Sequence, residues 1–172
     1  NELTGLEAVV PFRTWDGPVK VTVSGASKEA PVIFKKQEDV VFAGENYFSL
    51  IGYTWIAGSP VSAVKQPYQT VLTISRAKQY FPKLTPEQVI GKELVFDDTI
   101  HTTVSAVVND ITSNTDFSFK TFISIITLEK TSLKPNDWNE WNNTNGASQL
   151  FVKLATGSSV AKVEKGILDL YS

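Results

Sequence analysis

The residues whose types could support catalysis are one histidine and several aspartates around two predicted turns: His101, Asp97, Asp98, Asp110 and Asp116. A serine hydrolase would need the histidine to meet a serine and an acid, but the chain has no Gly-x-Ser-x-Gly elbow to position that serine. His101 is the only histidine and lies on the polar face of a predicted strand. We interpret it as a surface histidine, with ligand contact and pH sensing as the alternatives.

The aspartates do not have the spacing of a metal site. A calcium loop alternates its oxygen ligands, as in Asp-x-Asn-x-Asp-Gly, and neither Asn109-Asp110 nor Asn114-Thr115-Asp116 fits that pattern. A single histidine without cysteine partners is also a poor site for a transition metal. Turn formation explains the aspartates, so we expect no metal and no cofactor. A pair of carboxylates distant in sequence could act on a glycoside, but any globular domain offers such pairs. An enzyme of cell-wall polymers that uses His101 or the turn aspartates is the weakest of the hypotheses, and we expect no turnover.

Phosphate binding of the Walker type requires Gly-x-x-x-x-Gly-Lys-Ser/Thr, whose backbone amides surround the phosphates. Gly91-Lys92 is followed by Glu93 and has no glycine at the required spacing before it. The segment Gly157–Gly166 contains no match either. The sequence therefore does not support nucleotide binding.

Aromatic side chains are numerous enough to suggest a sugar- or drug-binding surface. The candidates are Trp15, Trp55, Trp138, Trp141, Tyr47 and Tyr53. Most have apolar neighbours, so packing in the core and anchoring of loops is the favoured interpretation. Asn142-Asn143-Thr144 matches a glycosylation acceptor, a pattern that is common by chance.

Composition sets the class of protein. The chain has 172 residues, of which 42% are apolar and 20% charged, which suits one large domain or two small subdomains. A net charge of −2 gives no electrostatic argument for nucleic acid. The absence of cysteine excludes disulfides and thiolate sites and suits an oxidising compartment. Because the sequence has no methionine, we expect it to be a processed or excised segment of a longer protein.

In the first part of the chain the pattern predicts mostly strands. Glu2–Val9 is predicted to be the tail of a helix that ends at Pro11. Val19–Ser24 alternates apolar and polar residues as a half-buried strand does. Pro31–Phe34 and Asp39–Phe42 are two further predicted strands, and we expect the charged residues 35–39 between them to form a solvated hairpin tip.

The middle of the chain mixes strands with short helices. Asn46–Gly52 is predicted to form a helical turn, and Val71–Ile74 a short strand. Ser75 is predicted to cap a helix whose apolar face includes Ala77 and Tyr80. A further turn of helix is expected to begin at Pro86 and end at Gly91, and a hairpin turn at Asp97–Thr99 is predicted to join strand Glu93–Phe96 to a returning strand.

In the last part of the chain a polar segment, Ser113–Asp116, is our preferred boundary. Phe117–Thr127 is predicted to be a long central strand, and Lys134–Gly146 a loop anchored by aromatics. A strand with Leu150, Val152 and Leu154 on one face then leads to an amphipathic helix. The apolar positions of that helix are Val160, Val163, Ile167, Leu168 and Tyr171.

The stretch Phe42–Ile111 contains an ordered set of short motifs. They are Asn46-Tyr47-Phe48, Ala57-Gly58, Leu72-Thr73-Ile74-Ser75-Arg76-Ala77, Tyr80-Phe81, Ile90-Gly91-Lys92 and Thr103-Val104-Ser105-Ala106-Val107-Val108-Asn109-Asp110. This order resembles the extracytoplasmic core domain of MacB/FtsX-type ABC transporter permeases, especially the versions of Bacteroidetes-like bacteria. The sequence departs from the family at Pro82, where a glycine is frequent, and at Ala106, where glycine is favoured.

The resemblance implies an α+β fold with two subdomains. Residues 1–45 and 114–172 would form a discontinuous, porter-like α/β subdomain, and residues 46–113 an inserted, mostly-β, sabre-like subdomain. The family has no catalytic, cofactor-binding or metal-binding residue in this domain, so the resemblance implies no enzyme activity.

The resemblance also implies a cellular setting, on the periplasmic side of the bacterial inner membrane. The domain would couple cytoplasmic ATP hydrolysis, on a separate nucleotide-binding domain, to substrate export, lipoprotein release or partner activation, a role termed mechanotransmission. Its two subdomains would shift as semi-rigid bodies.

Expected partners are the ABC ATPase, reached through transmembrane helices just beyond Asn1 and Ser172, a second permease copy, and a periplasmic adaptor or lipoprotein. The parent protein would be membrane-anchored and would not bind nucleic acid. The alternative is a periplasmic ligand-binding or sensor domain that uses the aromatic side chains.

Overall fold

The computed structural model describes residues 3–24, 30–113, 115–136, 138 and 146–171. The strands are β1 (Leu6–Thr14), β2 (Val19–Val23), β3 (Val32–Gln37), β4 (Val40–Ala43), β5 (Trp55–Gly58), β6 (Gln69–Thr73), β7 (Glu93–Phe96), β8 (Ile100–Val108), β9 (Thr121–Ser124) and β10 (Ser148–Leu154). The helices are α1 (Glu45–Ile51), α2 (Ile74–Tyr80), α3 (Pro86–Val89), α4 (Ile126–Glu129) and α5 (Val160–Tyr171).

In the described part of the chain the strands form one mixed sheet of ten, in the order β10-β1-β4-β9-β6-β8-β7-β2-β3, with β5 beside β8. The pairs β4–β9 and β6–β8 are parallel, and the other pairs are antiparallel. Few helices accompany this large sheet, and the predicted α+β class is confirmed.

Apolar side chains pack on both faces of the sheet. One cluster contains Phe42, Leu72 and Ile123 and is covered by α2, α3 and α4. The other contains Val71 and Phe122 and is covered by α1. Because both faces are covered at the centre, all four residues of β4 and of β9 are buried.

Several local predictions are confirmed. Helix α1 ends at Gly52, whose φ of +82° is the left-handed conformation that glycine adopts easily. Helix α3 begins at a capping box formed by Thr85 and Gln88, with Pro86 in its first turn. The turn Asp97–Thr99 joins β7 to β8, and the amphipathic helix α5 follows β10.

The predicted cap of α2 is displaced by two residues. Thr73, not Ser75, is the N-cap, and its hydroxyl accepts a hydrogen bond from the Arg76 amide at 3.4 Å. The Ser75 hydroxyl instead donates to the Asp110 carboxylate. Two hydroxyl residues, at positions 73 and 75, made the sequence ambiguous, and the tertiary contact of Ser75 with Asp110 decides between them.

The predicted N-terminal helix is wrong for the described residues, because residues 6–14 form the strand β1. The apolar residues recur with period two as well as with helical spacing, and Val10 and Phe12 point into the core while Val9 and Pro11 are exposed. Pairing with β10 from Leu6 to Arg13 favours the extended form. Glu2, the first residue of the predicted helix, lies outside the described residues.

The predicted hairpin at residues 35–39 is also wrong. β3 continues through Lys35 and Lys36 to Gln37, and β3 pairs with β2 whereas β4 pairs with β1 and β9. Gln37 is only 9% exposed because Arg76 binds its side chain. The corner is made by Glu38 and Asp39, the latter with φ +61°.

The predicted strand at residues 117–127 is shorter than expected, since β9 spans Thr121–Ser124 and α4 follows it. Its central position between β4 and β6 is confirmed. In the predicted aromatic loop, Trp138 packs against the apolar cluster that contains Phe42, Leu72 and Ile123. Trp141, Asn142-Asn143-Thr144, residue 114 of the predicted boundary and the Tyr171 side chain lie outside what the structure describes.

The sheet continues across the limits of the two predicted subdomains. β2 pairs with β7, and β6 pairs with β9, so each pair joins residues 46–113 to the remainder of the chain. The division into two subdomains stays a prediction. None of the described helices is both long and apolar enough to cross a bilayer.

Candidate functional site

His101 lies on the surface of β8, where it is 61% exposed. Its Nδ1 atom is 3.0 Å from Glu93 Oε1 on the neighbouring strand, and the Ser24 hydroxyl donates to the same carboxylate at 3.2 Å. The hydrogen bond with His101 lowers the pKa of Glu93. This is a cross-strand pair of exposed side chains, with no serine–histidine–acid arrangement.

The aspartates are used in separate turns. Asp97 accepts a hydrogen bond from the Lys20 amide at 2.9 Å, and Asp98 forms an ion pair with the Lys20 side chain. Asp116 is exposed. Over residues 3–24, 30–113, 115–136, 138 and 146–171, no group of three or more acidic or histidine side chains could hold a metal ion.

Asp110 binds the start of α2. Its carboxylate accepts hydrogen bonds from the Ser75 amide, at 2.9 Å, and from the Ser75 hydroxyl. Burial acts to raise the pKa of Asp110, but the hydrogen bonds from Ser75 and Thr73 and the charge of Lys120 outweigh burial and lower it. Asp110 therefore stabilises the connection between β8 and α2 as an anion.

Gly91 and Lys92 form a turn and not a phosphate cradle. Gly91 has φ +83°, and its amide donates to the Val104 carbonyl at 2.8 Å. The Lys92 amide donates to the Val89 carbonyl at 3.1 Å. Both amides are thus engaged within the fold.

The aromatic residues are mostly part of the core. Tyr47 and Phe48 of α1 pack with Tyr53 and Phe122, with ring centroids 5.1 to 6.4 Å apart. Trp15 stacks on Phe42 at 5.4 Å. Packing, the favoured interpretation, accounts for these rings, and they do not form a binding platform.

Two of these rings carry hydroxyls that the core does not satisfy. Among the described residues, the Tyr47 and Tyr53 hydroxyls are buried without a hydrogen-bond partner. Burial raises the pKa of both phenols. The neighbouring Tyr53 raises the pKa of Tyr47 further, and Asp110 raises the pKa of Tyr53 further. They remain protonated at any physiological pH.

A buried arginine was not among the functional residues predicted from the sequence. Arg76 of α2 is 5% exposed, and its guanidinium donates to the Gln37 side chain, to the Glu38 carbonyl at 2.9 Å and to the Tyr80 hydroxyl at 3.4 Å. Its second terminal nitrogen is 3.7 Å from the Asp39 carboxylate. We call this set of five residues the Arg76 joint.

The Arg76 joint connects three elements. The Asp39 carbonyl accepts hydrogen bonds from the amides of Lys120 and Thr121 at 2.9 and 3.1 Å, so α2 is tied through the corner between β3 and β4 to β9. Burial raises the pKa of Tyr80, and Arg76 partly offsets this. An arginine beside Ala77, on the apolar face of a predicted helix, was the signal for such a buried network.

Two of the open clefts that border the described residues have volumes of several hundred Å³. One of about 630 Å³ is lined by residues 51–54, Ile74 and residues 109–113, next to Asp110. The other, of about 480 Å³, lies between β1, the start of α1, residues 64–66 and the start of α4. Neither contains His101, although Asp110 lines the first. A smaller cleft of about 280 Å³ includes Asp97 but also lacks His101. These clefts therefore do not bring His101 and the candidate carboxylates together.

Comparison with known proteins identifies a family and several similar solved structures. The family model of MacB-like periplasmic core domains matches residues 1–170. A domain of a proposed permease from Porphyromonas gingivalis is 18% identical, with a TM-score of 0.73 over 99% of this chain and 71% of that one. The periplasmic region of MacB from Actinobacillus actinomycetemcomitans is also 18% identical, with a TM-score of 0.65 over 98% of this chain and 67% of that one. No curated protein matches significantly.

Proposed function

We propose, from the fact that this chain belongs to the MacB-like periplasmic core domain family, that it couples ATP hydrolysis in the cytoplasm to work outside the membrane. The observation that carries the proposal is the family match over residues 1–170, nearly the whole chain. The domain is the periplasmic part of an ABC transporter permease, and its work is substrate export, lipoprotein release or activation of a partner. The hydrolysis takes place on a separate nucleotide-binding domain.

The proposal includes a location and a set of partners. The domain lies on the periplasmic side of the inner membrane and is connected to the ATPase through transmembrane helices of the parent protein. A second permease copy and a periplasmic adaptor or lipoprotein complete the assembly. The described site chemistry agrees with a role without catalysis, since His101 pairs with Glu93 on the surface and Asp110 is engaged at a helix start.

Location can be tested by labelling from outside the membrane. Because the chain has no cysteine, Lys83→Cys at an exposed position introduces its single thiol. In spheroplasts that express the full-length protein, a membrane-impermeant maleimide should label this variant without lysis. The matched control is the same full-length protein without the Lys83→Cys change, and in both proteins any cysteine outside these 172 residues is replaced by serine. Labelling of Lys83→Cys only after lysis would contradict the periplasmic location.

The two predicted subdomains, residues 1–45 with 114–172 and residues 46–113, are retained as part of the proposal, with one change to their expected movement. The pairs Val21–Phe96 on β2–β7 and Val71–Phe122 on β6–β9 cross between them and are fully buried. Close-packed interiors resist sliding, because small displacements cost many contacts at once. We expect the subdomains to move together as one body.

Disulfide locks test this movement. Thr22 and Val95 are partners across β2 and β7, so Thr22→Cys with Val95→Cys links the two subdomains. Val95→Cys with His101→Cys is the matched control, because that pair lies within residues 46–113. In the reconstituted permease and ATPase, both oxidised variants should hydrolyse ATP and transport at the rate of the reduced protein. Loss of transport with the Thr22–Val95 lock alone would show that the subdomains shift against each other.

A further inference from the structure

The paired strands β1 and β10 extend beyond the end of β4. β1 pairs with β10 from Leu6 to Arg13 but with β4 only from Phe12 to Thr14. Residues 6–11 of β1 and 150–154 of β10 therefore form a two-stranded ribbon that projects past the main sheet. One side of this ribbon is the outer edge of the sheet, and the other faces the body of the protein.

The direction of the backbone groups follows from the hydrogen bonds at the base of the ribbon. The Thr14 amide donates to the Ala147 carbonyl, next to β10, at 2.9 Å. Backbone groups of alternate residues in an antiparallel pair point to opposite sides. Those of Val9 and Pro11 therefore point away from β10, towards the body of the protein.

Proline explains why β4 does not continue along β1. Pro11 has no N–H, and it occupies the position that would face Gly44 at the end of β4. The Gly44 carbonyl is already used by the Tyr47 amide, at 3.1 Å, where α1 begins. Among the described strands, none pairs with β1 on this side before Phe12. The N–H and C=O of Val9 thus form an open strand edge.

A cleft of about 480 Å³ lies against this edge. Its opposite walls are the start of α1, residues 64–66 and the start of α4. The Val9 and Ile126 side chains are 45% and 36% exposed there and give it an apolar lining. At its mouth, Lys65 Nζ is 3.8 Å from Glu45 Oε2, and both side chains are about half exposed. The cleft thus combines apolar walls with a backbone edge and balanced charge.

We propose that this cleft binds an extended peptide segment of a partner protein, which adds as a strand beside β1 at Val9. Alternating backbone donors and acceptors are what an added strand pairs with, and the apolar lining accepts every second side chain of the segment. Because Lys65 and Glu45 sum to zero charge, an uncharged apolar segment matches the mouth. This site does not depend on the proposed transport function.

The two outer edges of the sheet fit a partner strand less well. β3 presents Lys35 and Lys36 to solvent, and lysines at an edge oppose the addition of a strand. The outer edge of β10 lines neither of the two clefts described above. The edge at Val9 combines unpaired backbone with apolar walls on the opposite side.

The test uses a capped, uncharged peptide of sequence Thr-Val-Thr-Val-Thr-Val, titrated into the chain and followed by amide NMR shifts. We expect binding below about 1 mM, with the largest shifts at Val9, Gly44 and Lys65. Val9→Pro removes an N–H that β10 does not use, so the ribbon keeps its hydrogen bonds. We expect Val9→Pro to weaken peptide binding roughly tenfold or more, because it removes one hydrogen bond of the strand edge and alters the geometry of that edge.

Val152→Pro is the matched control, because Val152 is the partner of Val9, is 42% exposed and has its N–H on the outer edge of β10. It should leave the affinity unchanged. Ile126→Ala alters the apolar wall without touching β1 and should weaken binding severalfold. No shifts up to millimolar peptide, an equal loss in Val152→Pro, or unchanged binding in Val9→Pro would each overturn the proposal. So would self-association of the chain that Val9→Pro abolishes, since a second copy would then occupy the cleft.

Discussion

The centre of the sheet and the β1/β10 ribbon are built from similar apolar residues and are used in opposite ways. In β9 all four residues are buried, with Phe122 and Ile123 pointing to opposite faces. In the ribbon only one face is covered, where Val10 packs in the core, while Leu150 and Val152 on the other face are 60% and 42% exposed. The central strands therefore hold the fold together, whereas the exposed face of the ribbon is available for contacts.

The difference has a physical cause in the connections. Helices and loops follow β4, β6 and β9 directly and cover both faces of the central strands. α5 follows β10 but covers residues near the N-terminus, where Val163 lies close to Gly5. Exposed apolar side chains in a ribbon that the described residues leave uncovered are typical of a contact surface.

The largest expected effect comes from the same substitution at the two places. Leu72→Ala removes a fully buried side chain at the centre and should lower the free energy of unfolding by about 2–5 kcal/mol. Leu150→Ala, at a side chain that is 60% exposed, should change it by less than about 0.5 kcal/mol. Urea denaturation of both variants measures the difference. Equal losses would show that the ribbon contributes to the core and would break the comparison.

The next effect concerns the close approach of β5 to β8 at the centre. A Cβ at Gly58, where φ is +84°, would lie 2.4 Å from the Ser105 carbonyl oxygen and 2.8 Å from Ala106 Cα. Gly58→Ala should therefore cost about 3 kcal/mol, the sum of a left-handed backbone and a clash. The control is Gly52→Ala, with φ +82° and open space, which should cost about 1 kcal/mol.

Thermal or urea unfolding of the two glycine variants gives the result. The Gly52 variant measures the backbone conformation alone, and the excess for Gly58 measures the contact with β8. If both variants lost the same stability, β5 would not be fixed against β8, and the centre would be less tightly packed than the structure shows.

The hydroxyl groups of two buried tyrosines, on opposite faces of the sheet, test how polar groups are accommodated at the centre. Tyr80→Phe removes a hydroxyl that donates to Gln37 at 3.2 Å in the Arg76 joint and should cost about 1 kcal/mol. Tyr47→Phe removes a hydroxyl without a partner among the described residues and should be neutral or stabilise by up to about 1 kcal/mol. Denaturation curves with opposite signs are expected. If Tyr47→Phe lost as much stability as Tyr80→Phe, the Tyr47 hydroxyl would not be an unpaired buried group.

The smallest expected effect on stability depends on pH and concerns Asp110, at the connection between β8 and α2. Because the pKa of Asp110 is lowered in the folded state, its contribution to stability is present above the unfolded pKa and is lost as pH falls through the folded pKa. Ser75→Ala should move the Asp110 pKa up towards its ordinary value of 3.8 and reduce the loss of stability in acid. A carboxyl NMR titration measures the pKa, and Asp110→Asn is the control that removes the effect. An unchanged Asp110 pKa in Ser75→Ala would contradict this account.

The sequence predicted those elements whose local chemistry has a single reading. Gly52 after an aromatic helical turn, Pro86 with Gly91 around α3, and the aspartates of the β7–β8 turn were enough to place three features correctly. The two errors, at residues 2–9 and 35–39, concern segments whose conformation is decided by distant partners. β10 is more than a hundred residues away from β1, and Arg76 holds Gln37 from another element.

The candidate sites were less accessible to sequence reasoning than the fold. The surface role of His101 follows from its position on the polar face of β8, and the aromatics follow from their apolar neighbours. The Arg76 joint depends on a carbonyl and two side chains brought from residues 37–39. The open edge at Val9 depends on where β4 ends, and only the pairing of three strands shows that.

The central claim is that this domain moves as one body when the permease hydrolyses ATP. Spin labels at Lys83→Cys and Gln149→Cys, both exposed, report the distance between residues 46–113 and the rest of one copy by double electron–electron resonance. Labels at Lys83→Cys in both copies report movement between them. On trapping with ATP and vanadate, we expect the first distance to stay constant and the second to change. A constant second distance would contradict coupling to ATP hydrolysis, and a shift in the first would contradict movement as one body.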